Sequence, residues 1–275
     1  MTAEESVRAG RLDEALAELQ AQVRKQPADP KLRIFLFQLL SVMGQWDRAL
    51  TQLKVAGEMD ANAATMMATY KEVIRCEMLR AEVFAGKERP LLFGKPAEWM
   101  ALLIEALRLS GEKKFEEAAK LREQAFEAAP TTSGSVNDQR FEWIGDADQR
   151  IGPMLEVIVN GRYYWVPFGR LSEVRVEKPA DLRDIAWTPA YLTLVNGGET
   201  VGLIPTRYPG TEKSANAALV MARGTEWTES PGGTYTGVGQ RLLATNDGEY
   251  ALMDIREIKL DSTNDGDPAE PAPEA

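Results

Sequence analysis

The segments Gly10–Leu19 (GRLDEALAEL) and Gly44–Leu53 (GQWDRALTQL) carry one pattern 34 residues apart: Gly10, Leu12, Asp13, Ala15, Leu16 and Leu19 return as Gly44, Trp46, Asp47, Ala49, Leu50 and Leu53. A fixed period of this size marks a stacked unit that cannot bury its apolar face alone. Within each copy the apolar spacing is helical, the glycine falls at a turn, and Ala15 or Ala49 allows close approach one helical turn later. A third copy appears at Phe115, Ala118 and Pro130, where Ala118 to Pro130 repeats the 12-residue spacing of Ala15 to Pro27. It is displaced from the second by 69 residues, two periods plus one.

Thirty-four residues is the period of the tetratricopeptide repeat, a pair of antiparallel helices whose first member lines a concave face. Between the second and third copies, Ala61 to Phe84 keeps helical spacing without the small-residue signature, which predicts one long helix stopped by Gly86. Pro90 to Pro96 reads as a connecting loop and Glu98 to Leu109 as a further helix. After Pro130 the composition turns to Thr, Ser and Gly and the helical period ends. From there Leu155–Val159 and Arg162–Val166 flank Asn160-Gly161, a two-residue hairpin turn in which both residues need positive φ. Two more hairpins are predicted, Tyr191–Val195 with Glu199–Ile204 and Arg241–Ala244 with Tyr250–Asp254, and short helices at 139–148 and 169–172. The expected fold is therefore a tetratricopeptide-like α-α superhelix over 1–132 followed by an α+β domain with an antiparallel sheet over 133–261. Residues 262–275, with three prolines and four acids, read as a disordered acidic tail.

Composition narrows the function. The 32 Lys and Arg against 42 Asp and Glu give a net charge of −10, which argues against binding nucleic acid by phosphate neutralisation. With no histidine and one cysteine, Cys76, the usual general base, the Cys-His pairings and the common zinc sites are excluded, and a reduced cytoplasmic location is expected. The start Met1-Thr2-Ala3-Glu4-Glu5 has no signal-peptide character. The longest uncharged run, Ile34 to Trp46, is 13 residues, short of the ~17–25 that span a bilayer, so no membrane insertion is expected.

Four constellations could carry chemistry. Glu142, Asp146 and Asp148 are close in sequence, but helical spacing would align the first two without a third ligand. Ser172 and Lys178 do not make a serine-lysine pair by spacing alone. Gly232–Gly239 (GGTYTGVG) lacks the lysine of a phosphate loop and reads as a turn before a strand. Leu203–Gly210 (LIPTRYPG) presents Arg207 and Tyr208 either to a ligand or as a staple between domains. No cofactor or metal is predicted.

Six stretches together carry a family resemblance: Phe37–Ala49 (FQLLSVMGQWDRA), Cys76–Gly86 (CEMLRAEVFAG), Phe141–Arg150 (FEWIGDADQR), Gly161–Phe168 (GRYYWVPF), Leu203–Gly210 and Gly239–Leu242 (GQRL). In this order, over residues ~10 to 260, the chain resembles the ImpE/TagJ family. The resemblance implies a non-enzymatic cytoplasmic accessory protein of bacterial type VI secretion. It implies engagement of the N-terminal amphipathic helix of the small contractile-sheath subunit (TssB/VipA class), near sheath disassembly by a ClpV-type ATPase, with direct contact to that ATPase left open. Its motifs assign no partner-binding residues. Aligning Gly44 with the repeat's turn glycine puts Ile34 and Gln38 on the concave face, and Tyr70 and Ile74 form a stripe on the long helix. These four are the predicted partner contacts, with Tyr163 and Trp165 of the aromatic hairpin as further ones. The competing readings are a small-ligand enzyme using acidic residues around Asp146 or Arg207, and a purely structural homo-oligomeric scaffold.

Overall fold

The structure, a computed structural model, describes residues 2–261; the predicted tail at 262–275 lies outside them. Helices α1 (Ala3–Arg8) and α2 (Leu12–Lys25) form one antiparallel pair, α3 (Pro30–Val42) and α4 (Trp46–Met59) the next. The lone long helix α5 (Ala61–Phe84) follows, and α6 (Glu98–Gly111) with α7 (Phe115–Ala128) closes the array. The starts are written locally. Thr2 and Glu5 make a capping box on α1, and Asp29 caps α3 with Pro30 in its first turn, satisfying amide groups that have no partner within the helix.

Inside the pairs the turn is made by a residue in the left-handed region: Gly10 at φ +74°, Gly44 at +67° and, in the third pair, Lys113 at +63°. The third copy thus keeps the turn without its glycine, which is why the repeat shows there only through Phe115, Ala118 and Pro130. Gly86, at φ +73°, ends α5 as predicted, and a Cβ there would lie 2.9 Å from the Arg108 backbone, so the ends of α5 and α6 cross at glycine distance.

The predicted 90–96 loop contains a short strand, β1 (Leu91–Leu92). The sheet-rich part begins with β2 (Gly134–Val136), β3 (Gln139–Phe141) and β4 (Ile144–Asp146), so the helix expected at 139–148 is a correction. Asn137 and Asp138 both have positive φ, +47° and +67°, and make the two-residue hairpin turn of β2 and β3. A helix cannot run through them. Next come β5 (Met154–Val159) and β6 (Arg162–Pro167) across Asn160-Gly161, a 3-10 turn at Phe168–Arg170, and β7 (Leu171–Val176). Then β8 (Trp187–Leu194) pairs with β9 (Glu199–Pro205), both near their predicted bounds. After the short α8 (Ala217–Val220), β10 (Thr225–Ser230) pairs with β11 (Thr234–Gly239) across a Gly232-Gly233 turn. The last elements are β12 (Leu242–Thr245), β13 (Glu249–Ala251) and β14 (Glu257–Leu260).

The main sheet has the order β1-β6-β5-β9-β8-β7-β14-β2-β3 and is antiparallel except for β1 on β6; β13-β12-β4 and β10-β11 form smaller sheets. The fold class is as predicted. Every residue of β5 is buried, because both faces of the sheet are covered. Met154, Ile158, Tyr163 and Trp165 join a core made with α1–α7, while Leu155, Val157, Tyr164 and Val166 join a second core on the opposite face. The apolar cluster of the helices therefore does not close on itself, as the repeat pattern suggested; it continues into the sheet through these side chains and Trp187. Among the described residues no helix is long and apolar enough to cross a membrane.

Candidate functional site

The face of α3 and α5 that carries most of the predicted contacts is occupied by the chain itself. A 3-10 turn at Leu182–Ile185 packs on α3, and the Trp187 ring lies 5.6 Å from Tyr70 and 5.8 Å from Trp46. Tyr70 also meets Phe37 edge-on at 5.7 Å and carries the Arg183 guanidinium over its face. The predicted contacts Gln38, Tyr70 and Ile74 are consequently buried, and Ile34 is half-buried. Tyr163 and Trp165 are buried too, because α5 covers the sheet face toward which they point. Tyr70, Ile74, Tyr163 and Trp165 are brought together in one apolar seam between helices and sheet, Gln38 is buried on α3, and Ile34 keeps part of its surface.

That seam holds a buried polar network, and the six family motifs meet in it. Its centre is Glu156, the one acid in the otherwise apolar β5. Arg80 of α5 donates to it through Nε at 2.7 Å and Nη2 at 3.1 Å, and Tyr163 Oη and Arg241 donate to it as well. Arg241 also donates to Asp146 and, at 3.0 Å, to the Pro205 carbonyl. Asp146 accepts from Tyr208 Oη at 3.0 Å and from the Asp148 amide at 2.9 Å. Trp165 Nε1 donates to Tyr163 Oη at 2.6 Å, and Trp187 Nε1 to Glu77 at 2.9 Å. Arg207 donates to the carbonyls of Val42 and Val220 at 2.7 and 2.6 Å, so of its two predicted roles the structure gives it the staple.

Burial alone would raise Glu156, but Arg80 and Arg241 outweigh it and hold the carboxyl at about 2. For Asp146 burial wins, opposed by Arg241 and reinforced by Asp148 and Glu156, and the carboxyl is pushed up to about 6. Burial lowers Arg207 to about 10 and raises the Cys76 thiol to about 12, the inert buried cysteine the sequence suggested. Between Glu77, Arg80, Arg207 and Tyr208 the free space is about 10 Å³, the size of one water at most. This network can orient and lock the two parts of the chain. Beside Glu77, Arg80, Arg207 and Tyr208 it has no room for a substrate.

Other predicted constellations come apart. Glu142 is exposed while Asp146 and Asp148 are buried on arginines, so no helical carboxylate face exists. Ser172 donates to the Thr193 carbonyl within the sheet. Among the described residues no group of three or more Asp, Glu or Cys is placed to hold a metal ion.

The outer surface carries a feature that the sequence reading missed. Phe126 near the end of α7 and Trp143 between β3 and β4 are 37% and 42% exposed, and with Pro130, Ile144 and Pro153 they wall an apolar groove of about 320 Å³. Gly152, at φ +54°, sits beneath the Phe126 ring, where a Cβ would lie 2.4 Å from it. Two aromatic rings this exposed in one groove leave apolar surface that the chain itself does not cover. The available signal was Trp143 itself, a tryptophan between Glu142 and a buried strand.

Fold and seam together define a class: a tetratricopeptide-type helical array locked by a buried ionic seam onto an antiparallel sheet domain. A tetratricopeptide repeat model matches residues 6–69, and the family model described as ImpE protein matches residues 138–259. A curated protein of Pseudomonas aeruginosa, described as Type VI secretion system accessory component TagJ, is 54% identical over 264 residues, 96% of this chain and 92% of that protein. The crystal structure of a Vibrio parahaemolyticus protein superposes with a TM-score of 0.87 over 95% of this chain and 98% of that one; at 20% identity it speaks for the fold alone. The chain belongs to the ImpE/TagJ family, and its role is that of an accessory component of type VI secretion.

Proposed function

We propose that this protein is a non-catalytic cytoplasmic adaptor that takes up the N-terminal amphipathic helix of the small sheath subunit (TssB/VipA class), with any effect on the ClpV-type ATPase passing through the sheath. The observation that carries the reading is the groove walled by Phe126 and Trp143. It offers an amphipathic helix two aromatic anchors on a firm apolar floor, the arrangement in which a few side chains supply most of the binding energy. The face of α3 and α5 that carries most of the predicted contacts is filled by Leu182–Ile185 and Trp187. Gln38, Tyr70, Ile74, Tyr163 and Trp165 enter this reading as buried residues that join helices and sheet rather than as contacts in the groove. Ile34, half-buried, retains some surface for a partner. The ionic network around Glu156, whose acids are all paired with arginines, speaks against a small-ligand enzyme.

The test is calorimetric titration of the sheath subunit into the full chain and into its Trp143→Ala and Phe126→Ala variants. Each truncation is expected to weaken binding by more than about 1 kcal/mol, with the melting temperature nearly unchanged because both rings are exposed. Binding should also survive high salt, since apolar burial is weakly screened. Undiminished affinity in both variants would remove the groove from the account.

A further inference from the structure

A second cleft lies on the other side of α3, between α2 and α4, and has a different chemistry. Val23, Leu36 and Leu40 form its floor, and Arg24, Arg33 and Arg48 stand around it, enclosing about 270 Å³. No carboxylate lines it. Elsewhere in this chain of net charge −10 the arginines Arg75, Arg108 and Arg140 each meet an Asp or Glu. In the cleft, Arg33 is instead fixed by the Pro27 carbonyl at 3.2 to 3.3 Å and by Gln52 at 3.0 Å, and Arg48 donates to Gln45. Among the described residues none of the three has a carboxylate within 4.0 Å.

We infer that this cleft is a docking site for an acidic, partly apolar peptide segment of a protein partner, separate from the Phe126–Trp143 groove. Charge complementarity selects the occupant. Arg33 and Arg48, held by neutral groups, and the exposed Arg24 have hydrogen-bond donors left for carboxylates, which they can engage in two-pronged fashion. The apolar floor selects further: Val23, Leu36 and Leu40 fit leucine-like side chains beside the acids, which a free phosphate or a polynucleotide backbone does not supply. Because the protein as a whole is acidic, long-range attraction is weak and binding rests on these local contacts. Such contacts are screened by salt, in contrast to the apolar groove.

Fluorescence anisotropy on the full chain tests this, with a labelled amphipathic peptide of glutamate and leucine as probe, its lysine-for-glutamate counterpart as control, and inorganic phosphate as competitor. Arg24 and Arg48 are exposed, so the Arg24→Gln/Arg48→Gln double variant retains the fold. The acidic peptide is expected to bind, to lose at least about fivefold in affinity in that variant, and to weaken with added salt, while the Arg24→Lys/Arg48→Lys variant recovers part of the loss. The control peptide should not bind. Absence of binding by the acidic peptide, equal binding to the double variant, or displacement by millimolar phosphate would each overturn the inference. The two surfaces separate cleanly: Trp143→Ala should leave acidic-peptide binding intact, and the double variant should leave sheath-subunit binding intact. Loss of sheath binding in the double variant alone would uphold the cleft and overturn the aromatic groove.

Discussion

Replacing Arg241 with methionine removes the cation that two buried carboxylates share while keeping most of its volume. Arg241 is fully buried and bonds Asp146, Glu156 and the Pro205 carbonyl, with its guanidinium 5.4 Å from the Tyr208 ring centre. After the substitution Glu156 keeps Arg80 and Tyr163, but Asp146 is left with the Tyr208 hydroxyl and one amide. Breaking a buried pair by removing one partner costs about 3–5 kcal/mol, a large part of the ~5–15 kcal/mol that holds an ordinary domain together. In a protein of this size that corresponds to a fall of roughly 10 °C in melting temperature. Urea unfolding at neutral pH, followed by far-ultraviolet circular dichroism and tryptophan fluorescence, reads it directly. The Asp146→Asn/Arg241→Met double variant should cost less than the sum of the two single changes, because the charges are removed as a pair. A loss below about 1 kcal/mol for Arg241→Met would refute the view that the seam depends on this network.

Three further outcomes follow from the same geometry. Asp146, raised from 3.8 to about 6, contributes stability that is complete below about pH 3.8 and is lost as pH rises through 6; Glu156, lowered to about 2, contributes above its ordinary 4.5 and loses it as pH falls toward 2. Between pH 4 and 6.5 the urea midpoint of the wild type should therefore fall relative to that of Asp146→Asn, and parallel curves would contradict the assignment. Lys113→Gly should stabilise by about 1 kcal/mol, since it relieves the left-handed φ of +63° at a turn where the first two repeats have glycine; unchanged or lower stability in thermal melts would count against it. Cleavage within 131–134 should leave a helical fragment with reduced ellipticity and a low melting temperature, because its apolar cluster needs Trp165 and Trp187; a fragment as stable as the intact chain would show that the helices hold a core of their own.

The helical array was legible because its period is local: Gly10 and Gly44 announce the turn, and α5 and its Gly86 stop can be read from spacing and one residue type. The hairpins at Asn160-Gly161 and Asn196–Gly198 were legible for the same reason. The strands at 139–146 were not, because Asn137-Asp138 adopts the two positive φ values usually marked by a glycine. That the stripe of Tyr70 and Ile74 packs on the chain itself was hidden for a deeper reason. An apolar helix face reads alike whether it awaits another protein or its own chain, and Tyr70 meets Trp187, more than a hundred positions away, in the cluster that also holds Ile74. The seam was equally hidden. Arg80 finds Glu156 at a separation of 76 residues, Arg241 finds Asp146 at 95, and only the fold turns six scattered motifs into one network.

The central claim, that the accessory role is exercised by taking up a sheath helix on an outer face, is tested most directly by titrating the small sheath subunit, intact and lacking its N-terminal helix, into the full chain. The account predicts saturable binding by the intact subunit that persists at high salt and disappears when the helix is removed. Equal binding by both forms, or none by the intact subunit, would contradict it.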